Sequence, residues 1–531
     1  MSDRPDTEKP KRRSRRERLD NADTPQAAQS EVAAPSLLRQ PQSGVPDLAS
    51  GGRPGFNYLS VERIELLRER TFELLEKHGI AVAHDGAVKK LQAAGATQSS
   101  DGKRLMLPRK LVEESLAATP RTTTLCGKLP QYDIELPRDD NTFTMRTGTG
   151  AHGFIDAGTG EYRKLGIEDI KTMAKVCNGL DAIGIIAHPF VSGVAERTAD
   201  VHALAAMITH TPKHAWIQPY DAENVEYLMR VTALAAGGED NLRNRPIASC
   251  IMTSFSPLEY KAMDVEVAIQ CSKYGVPIHA CSLPTAGGTS PVTMPATILM
   301  AAAEILGMVT LIHVMGGTSL PVIATPLIFA LDMRTGRSLQ SSPEVMGGAS
   351  MAIQLMKQGF GMMTHTYGAG SDTPVPDAQS MAERALLGHL VGLAGADVLG
   401  GVGQVECATV FSPLQAVLDD ELGQMLKKYM RTPEIDDESL AWDLMMNVDV
   451  GGHFLANEHT LKHCRSNFTP QAFARISRDV WQESGKRDAM ANARDICAEL
   501  MMRPVYEGLP EADAVAEINE IVKAADANIA S

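Results

Sequence analysis

A closed barrel of eight parallel strands, each followed by a helix, is the fold that this sequence predicts, and three observations predict it. Between residues 154 and 402, short apolar runs alternate with longer stretches of helical periodicity. The apolar runs lack strict polar alternation, as strands covered on both faces by helices do. About eight such strand–helix units over roughly 260 residues is the size of a (β/α)8 TIM barrel. A doubly wound open sheet is the rival, but no Gly-x-Gly-x-x-Gly opens any of the helical stretches.

The strand candidates are Phe154-Ile155 and residues 183–187, 215–218, 247–253, 278–281, 322–325, 361–366 and 398–402. Amphipathic stretches at 167–180, 199–209, 222–236, 256–273, 291–315 and 341–357 fall between them. Before the barrel, residues 1–55 are rich in Pro, Ser, Gln and charge, with a basic run at 9–18. Such a segment cannot bury enough apolar surface to order itself, so a disordered basic arm is expected. Residues 56–120 read as a helical N-terminal region, with Ser60 as a cap and Ile64, Leu67, Phe72, Leu74 and Leu75 on one face. Residues 121–418 are assigned to the barrel core. Residues 419–531 form a C-terminal helical region expected to wrap it, with helices at 418–429, 439–447, 469–481, 487–502 and 511–527.

The net charge of −14 argues against general nucleic-acid binding, which needs a basic face. None of the eight cysteines forms a Cys-x-x-Cys pair, and no secretory signal is recognisable, so a cytoplasmic protein with reduced thiols is expected. The longest apolar run, 298–315, contains Glu304 and His313 and is read as a buried helix, with no membrane role.

Chemistry concentrates in residues 359–379, GFGMMTHTYGAGSDTPVPDAQ. A short apolar run breaks there into His365, Thr366, Tyr367, three small residues and Ser371-Asp372. A strand that ends in polar groups is how a parallel barrel presents side chains at its carboxyl edge. Aromatics make up only 5% of the chain, so those near strand ends carry information: Phe190, Trp216, Tyr220, Phe255, Phe329, Tyr367 and Phe411. For any one of them core packing is the leading alternative. His188, Asp372 and Glu406 are further polar candidates. Asp419 reads as a surface or capping residue, and Arg334 as a loop arginine facing solvent or a carboxylate clamp. His459 and His463 stand four apart, the spacing of a metal pair, but lack a third ligand nearby, so no metal is expected. The glycine runs at 287–289, 316–318 and 347–348 lack a P-loop lysine and read as tight turns.

The stretch 368–383, GAGSDTPVPDAQSMAE, is followed by Gly400-Gly401, Ser412-Pro413-Leu414-Gln415, Asp419-Asp420-Glu421 and GHFLANEHTLKHCR at 452–465. In this order the motifs resemble the trimethylamine methyltransferase family, over about residues 55–525. The resemblance implies a (β/α)8 barrel that passes a methyl group from a methylated amine to a separate corrinoid protein. Archaeal members carry pyrrolysine in the barrel. This sequence has none, and the resemblance places Pro374 at that position. Proline offers no nucleophile and no titratable group. The implied relatives are those of the non-pyrrolysine branch, among them a glycine betaine methyltransferase.

A substrate that needs no activation suits such a site. A quaternary ammonium leaves as a neutral amine without a general acid, so the protein has only to desolvate and orient it. The resemblance therefore implies glycine betaine or a related betaine or carnitine-like quaternary amine as methyl donor. The acceptor would be the cobalt(I) of a corrinoid (cobalamin) carried by a partner protein, with no tightly bound cofactor in this chain. A homo-oligomer is expected. The aromatic residues named above would form a cation–π cage, led by Tyr367 with His365 beside it. His365 or His188 would meet a substrate carboxylate, and Asp372 or Glu406 would orient substrate or partner. Two alternatives stay open: a non-catalytic betaine or corrinoid-protein binder, and a barrel lyase or hydrolase using His365, Asp372 and a metal.

Overall fold

The computed structural model describes residues 55–530 apart from 139, 141 and 317–319. The expected basic arm lies almost wholly outside the described residues. Eight strands close a barrel in sequential order, every neighbouring pair parallel. They are β1 (Thr144–Thr147), β2 (Ile183–Ala187), β3 (His214–Ile217), β4 (Ala248–Thr253), β5 (Ile278–Ser282), β6 (Val322–Pro326), β7 (Met363–Tyr367) and β8 (Val398–Val402). The helices that follow them are α1 (Ile167–Asn178), α2 (Ala199–Ile208), α3 (Ala222–Ala235), α4 (Ala262–Tyr274), α5 (Met294–Gly316), α6 (Pro343–Gln354), α7 (Ala378–Ala394) and α8 (Pro413–Met430). The strands are buried on both faces, which is why they read as unbroken apolar runs.

One strand expectation fails. Phe154-Ile155 belongs to a four-stranded sheet outside the barrel, with Tyr162–Lys164, Gln404–Val405 and Val410–Phe411. The first barrel strand is β1, Thr-Met-Arg-Thr. A search for apolar runs passes over it because its inward residue is an arginine. The register on either side of β1 is irregular, with shifts between Leu399 and Val402 and between Met145 and Arg146.

The N-terminal helix Val61–Lys77 is capped by Ser60, whose side chain accepts from the Arg63 N–H. It buries Ile64, Phe72 and Leu75 and packs against α5, as does the helix Arg109–Ala118. Helix α5 is the one element among the described residues long and apolar enough to cross a membrane, and most of its apolar side chains are buried in the barrel wall. At the C-terminal end, Ala489–Met502 packs on α8 and α1, and Ala512–Ala525 packs on α3 and α2. The helix expected at 469–481 does not form; only Arg478–Glu483 is helical there. The backbone N–H groups of Gln471, Ala472 and Phe473 instead converge on the Glu421 carboxylate of α8.

Candidate functional site

Side chains on a strand alternate, so residues two apart share a face. On β7 the inward set includes His365 and Tyr367; on β1 it is Arg146. These strands are separated by β8, so the Arg146–His365 hydrogen bond of 3.1 Å runs across the barrel interior. His365 reaches on to His279 of β5, Nδ1 to Nδ1 at 3.2 Å. His279 Nε2 lies 3.0 Å from Ser249 Oγ of β4, and Ser249 Oγ lies 3.0 Å from His214 Nε2 of β3. His214 Nδ1 ends the series on the Cys126 carbonyl at 2.9 Å.

The two ends fix the direction of every proton. A guanidinium can only donate and a carbonyl can only accept. Arg146 Nε–H therefore donates to His365 Nε2. His365 Nδ1–H donates to His279, His279 Nε2–H donates to Ser249, Ser249 O–H donates to His214, and His214 Nδ1–H donates to Cys126. All three imidazoles are neutral in this chain. Their surroundings agree: burial, reinforced by the Arg146 charge, holds His365 and His279 well below the usual histidine range, and burial holds His214 at about 4.

This neutrality has a consequence for acid stability. The unfolded chain binds a proton on His214 near the ordinary pKa of about 6.5, which the folded chain refuses until about pH 4. The unfolded state thus carries more protons in that window, and stability falls as pH drops through it. From pH 7 to 5 this one residue costs about 2 kcal/mol. A His214→Gln variant is expected to lose about 2 kcal/mol less than the parent over that interval, read by urea unfolding at both pH values. Equal losses in the two proteins would remove the titration from the account.

The guanidinium of Arg146 is fully buried and lies 4.0 Å over the Trp216 ring of β3. Nη1 donates to the Thr147 carbonyl at 2.6 Å. Room for it comes from Gly400 on β8: a Cβ there would stand 2.8 Å from both Nη2 and His365 Nε2. Burial lowers the arginine to about 10. One layer nearer the carboxyl edge, Tyr367 is 8% exposed and meets Phe329 edge-on, ring centres 6.0 Å apart. Burial raises its phenol to about 12. Several buried polar atoms around this core have no hydrogen-bond partner: Arg146 Nη2, Trp216 Nε1, Gln218 Oε1, Gln404 Oε1 and both amide atoms of Gln340. Folded proteins leave few such atoms, so each asks for a reason.

The residues singled out from sequence fall into distinct places. His365, Trp216 and Tyr367 come together around Arg146, with Phe329 against Tyr367. His188, Phe190 and Tyr220 form a second group beyond β2 and β3: the Phe190 and Tyr220 rings stack at 4.6 Å, and His188 Nε2 accepts from the Gln218 N–H at 3.0 Å. Phe255 is exposed under the Lys261 ammonium, and Phe411 is buried against Phe154 in the outer sheet. Asp372 accepts the N–H groups of Gln340 and Ser341 at 2.8 and 3.0 Å, and Glu406 pairs with Arg337 at 3.2 Å. Pro374 is exposed in the bend after β7. Arg334 is exposed and pairs with Asp332. The His459 and His463 rings lie 4.4 Å apart with their planes tilted by 38°, and among the described residues no group of three His, Cys, Asp or Glu side chains could hold a metal. Arg146, His214 and His279 escaped the sequence reading. Their signal is a polar residue at the inward position of an otherwise strand-like run, repeated on β1, β3, β5 and β7.

The architecture is a (β/α)8 barrel, the class that builds its chemistry from side chains at the carboxyl ends of the strands. The family model described as trimethylamine methyltransferase (MTTB) matches residues 24–527, and the chain belongs to that family. It is 29% identical over 471 residues to the trimethylamine methyltransferase MttB of Desulfitobacterium hafniense (strain DSM 10664 / DCB-2), covering 88% of this chain and 94% of the relative. It is 27% identical over 469 residues to a glycine betaine methyltransferase of Desulfitobacterium hafniense (strain Y51), covering 87% and 96%. Among solved structures it is similar to the Methanosarcina barkeri monomethylamine methyltransferase (MtmB), with a TM-score of 0.48 and 13% identity, over 83% of this chain and 94% of that one.

Proposed function

We propose that this protein moves a methyl group from a quaternary amine, glycine betaine or a related betaine or carnitine-like compound, to the cobalt(I) of a separate corrinoid protein. Family membership and the likeness to a relative named for glycine betaine support the reading. The observation that carries it is the loop after β7. Pro374 stands there with no reactive group, and the neighbouring polar side chains are engaged: Ser371 donates to Glu383, Asp372 holds two backbone N–H groups, and Asp377 caps α7. Besides these the loop offers only the Thr373 hydroxyl, too weak an acid to activate a poor leaving group, which favours a substrate that arrives activated. A quaternary ammonium does: the C–N bond breaks, its electron pair leaves on nitrogen as a neutral amine, and no proton is needed.

The corrinoid, held by the partner, supplies the nucleophile; this chain supplies the amine in a fixed pose. Tyr367 and Phe329 offer aromatic surface to the cation, worth ~1–2 kcal/mol once water is excluded. The rival His365–Asp372 hydrolytic pair is not assembled, because His365 is committed to Arg146 and His279, and Asp372 to backbone.

The test is to mix the protein with a reduced corrinoid protein and a panel of amines and follow the corrinoid spectrum. Methyl transfer is expected from at least one betaine-class compound and not from trimethylamine. Transfer from trimethylamine alone overturns the substrate class, and no transfer from any amine in the panel overturns the activity.

A further inference from the structure

Arg146 is a positive charge with no negative partner. Its side chain is fully buried, and no carboxylate among the described residues pairs with it. The acidic groups that bear on it electrostatically are Tyr367 and Cys281, both held protonated by burial. Its hydrogen bonds go to a neutral imidazole and a carbonyl, and Nη2 has no acceptor. Trp216, whose ring lies against the guanidinium, leaves its Nε1–H without an acceptor as well. Gly400 packs against Nη2 with backbone alone: a Cβ there would stand 2.8 Å away, so the backbone approaches the guanidinium without offering it an acceptor. An uncompensated buried charge is among the costliest features a core can carry. Two orphan donors beside one buried cation are the complement of a carboxylate.

We propose that Arg146 and Trp216 Nε1 bind the anionic group of the substrate, so that the substrate is a zwitterion standing along the barrel axis. Its carboxylate points down to Arg146. Its quaternary nitrogen points up to Tyr367 and Phe329, about 7 Å higher by the rise of two strand residues. The cationic half of this pose rests on the methyl-transfer reading above; the anionic half does not. The arrangement also sorts substrates. Choline and tetramethylammonium leave the guanidinium unpaired, so compact betaines are preferred over them.

The probe is 3,3-dimethylbutanoate, which keeps the shape and carboxylate of glycine betaine but has no charged nitrogen and no transferable N-methyl. Its binding is measured by calorimetry beside that of choline, with the parent protein and Arg146→Gln. Dimethylbutanoate is expected to bind the parent and to weaken at least ~30-fold in Arg146→Gln, the loss typical of truncating one partner of a buried charge pair. Choline binding is expected to change less than about threefold, because it never used the guanidinium. Should Arg146→Gln fail to fold, Arg146→Lys keeps the charge without the planar fork and is expected to retain measurable but weakened carboxylate binding. Failure of dimethylbutanoate to bind the parent, or equal binding by the variants, overturns the proposal. Since the probe cannot be demethylated, these results hold whichever way the methyl-transfer assay falls.

Discussion

Asp419→Ala is expected to destabilise the protein by about 3–5 kcal/mol, the cost of leaving one member of a buried ion pair alone. Asp419 and Arg384 are both fully buried and meet at 2.8 Å. The carboxylate also accepts the Gly403 N–H at 2.7 Å and the Gln415 amide at 2.9 Å. The guanidinium donates to the carbonyls of Ala369 and Gln404 and, at 3.0 Å, to Ser380 Oγ. Ala369 lies two residues past Tyr367 at the end of β7, and Gln404 lies two residues past β8. The pair therefore ties α7 and α8 to the two strand ends that carry Tyr367 and Gly400. Without Asp419, Arg384 is a cation in a dry core with two carbonyls and a hydroxyl as its only partners and no counter-charge. Urea unfolding reads the loss. The double variant Arg384→Met, Asp419→Leu is expected to lose less than Asp419→Ala, because it removes both charges and fills the space. A single-variant loss below about 1 kcal/mol would mean that the core already tolerates the lone guanidinium.

Asp419 also marks where sequence reading stops. An aspartate in an acidic triplet reads as surface or cap; its partner, Arg384, stands 35 residues away on another helix. Nothing local in either segment announces the pair. The same limit explains β1. Seven barrel strands stand out as apolar runs because helices cover them, whereas β1 carries Arg146 inward and so does not stand out as one. The residues around His365 and Tyr367 are legible because one short stretch passes from apolar to polar. The residues that complete the buried polar chain are not, since His214, Ser249 and His279 each look like a single substitution in a core strand. Their common feature is the inward position, and inward parity is known only once the barrel register is known. At 469–481 the helical pattern is real, but the backbone donors of 471–473 are taken by Glu421 from a distant helix. Tertiary hydrogen bonds there outweigh a propensity worth a few tenths of a kcal/mol per residue.

Glu304→Leu sets two accounts of one helix against each other, and the polar account is expected to win. By apolar bookkeeping the change looks favourable: α5 is already hydrophobic on all sides, and each added buried methylene contributes ~0.8 kcal/mol. Glu304, however, is fully buried at the centre of a fan of donors. Oε2 accepts from the hydroxyls of Ser254, Ser256 and Ser282 at 2.8, 2.9 and 2.5 Å, and Oε1 accepts the Leu258 N–H at 3.0 Å. Its own carbonyl takes the Tyr260 hydroxyl at 2.7 Å. Leu258 sits at φ 59°, a left-handed conformation disfavoured for a branched side chain, and its N–H is held by this carboxylate. Leucine leaves four donors facing an apolar group, and a buried donor without a partner costs about 1–3 kcal/mol. Even with the hydroxyls partly re-paired, a net loss of about 3–5 kcal/mol is expected by denaturant unfolding. Glu304→Gln, whose amide oxygen still accepts, is expected to cost less than leucine does. A leucine variant as stable as the parent would show that the turn after β4 holds its shape without the carboxylate. The larger penalty would show that a helix apolar enough to cross a bilayer is fixed in this barrel by its one buried acid.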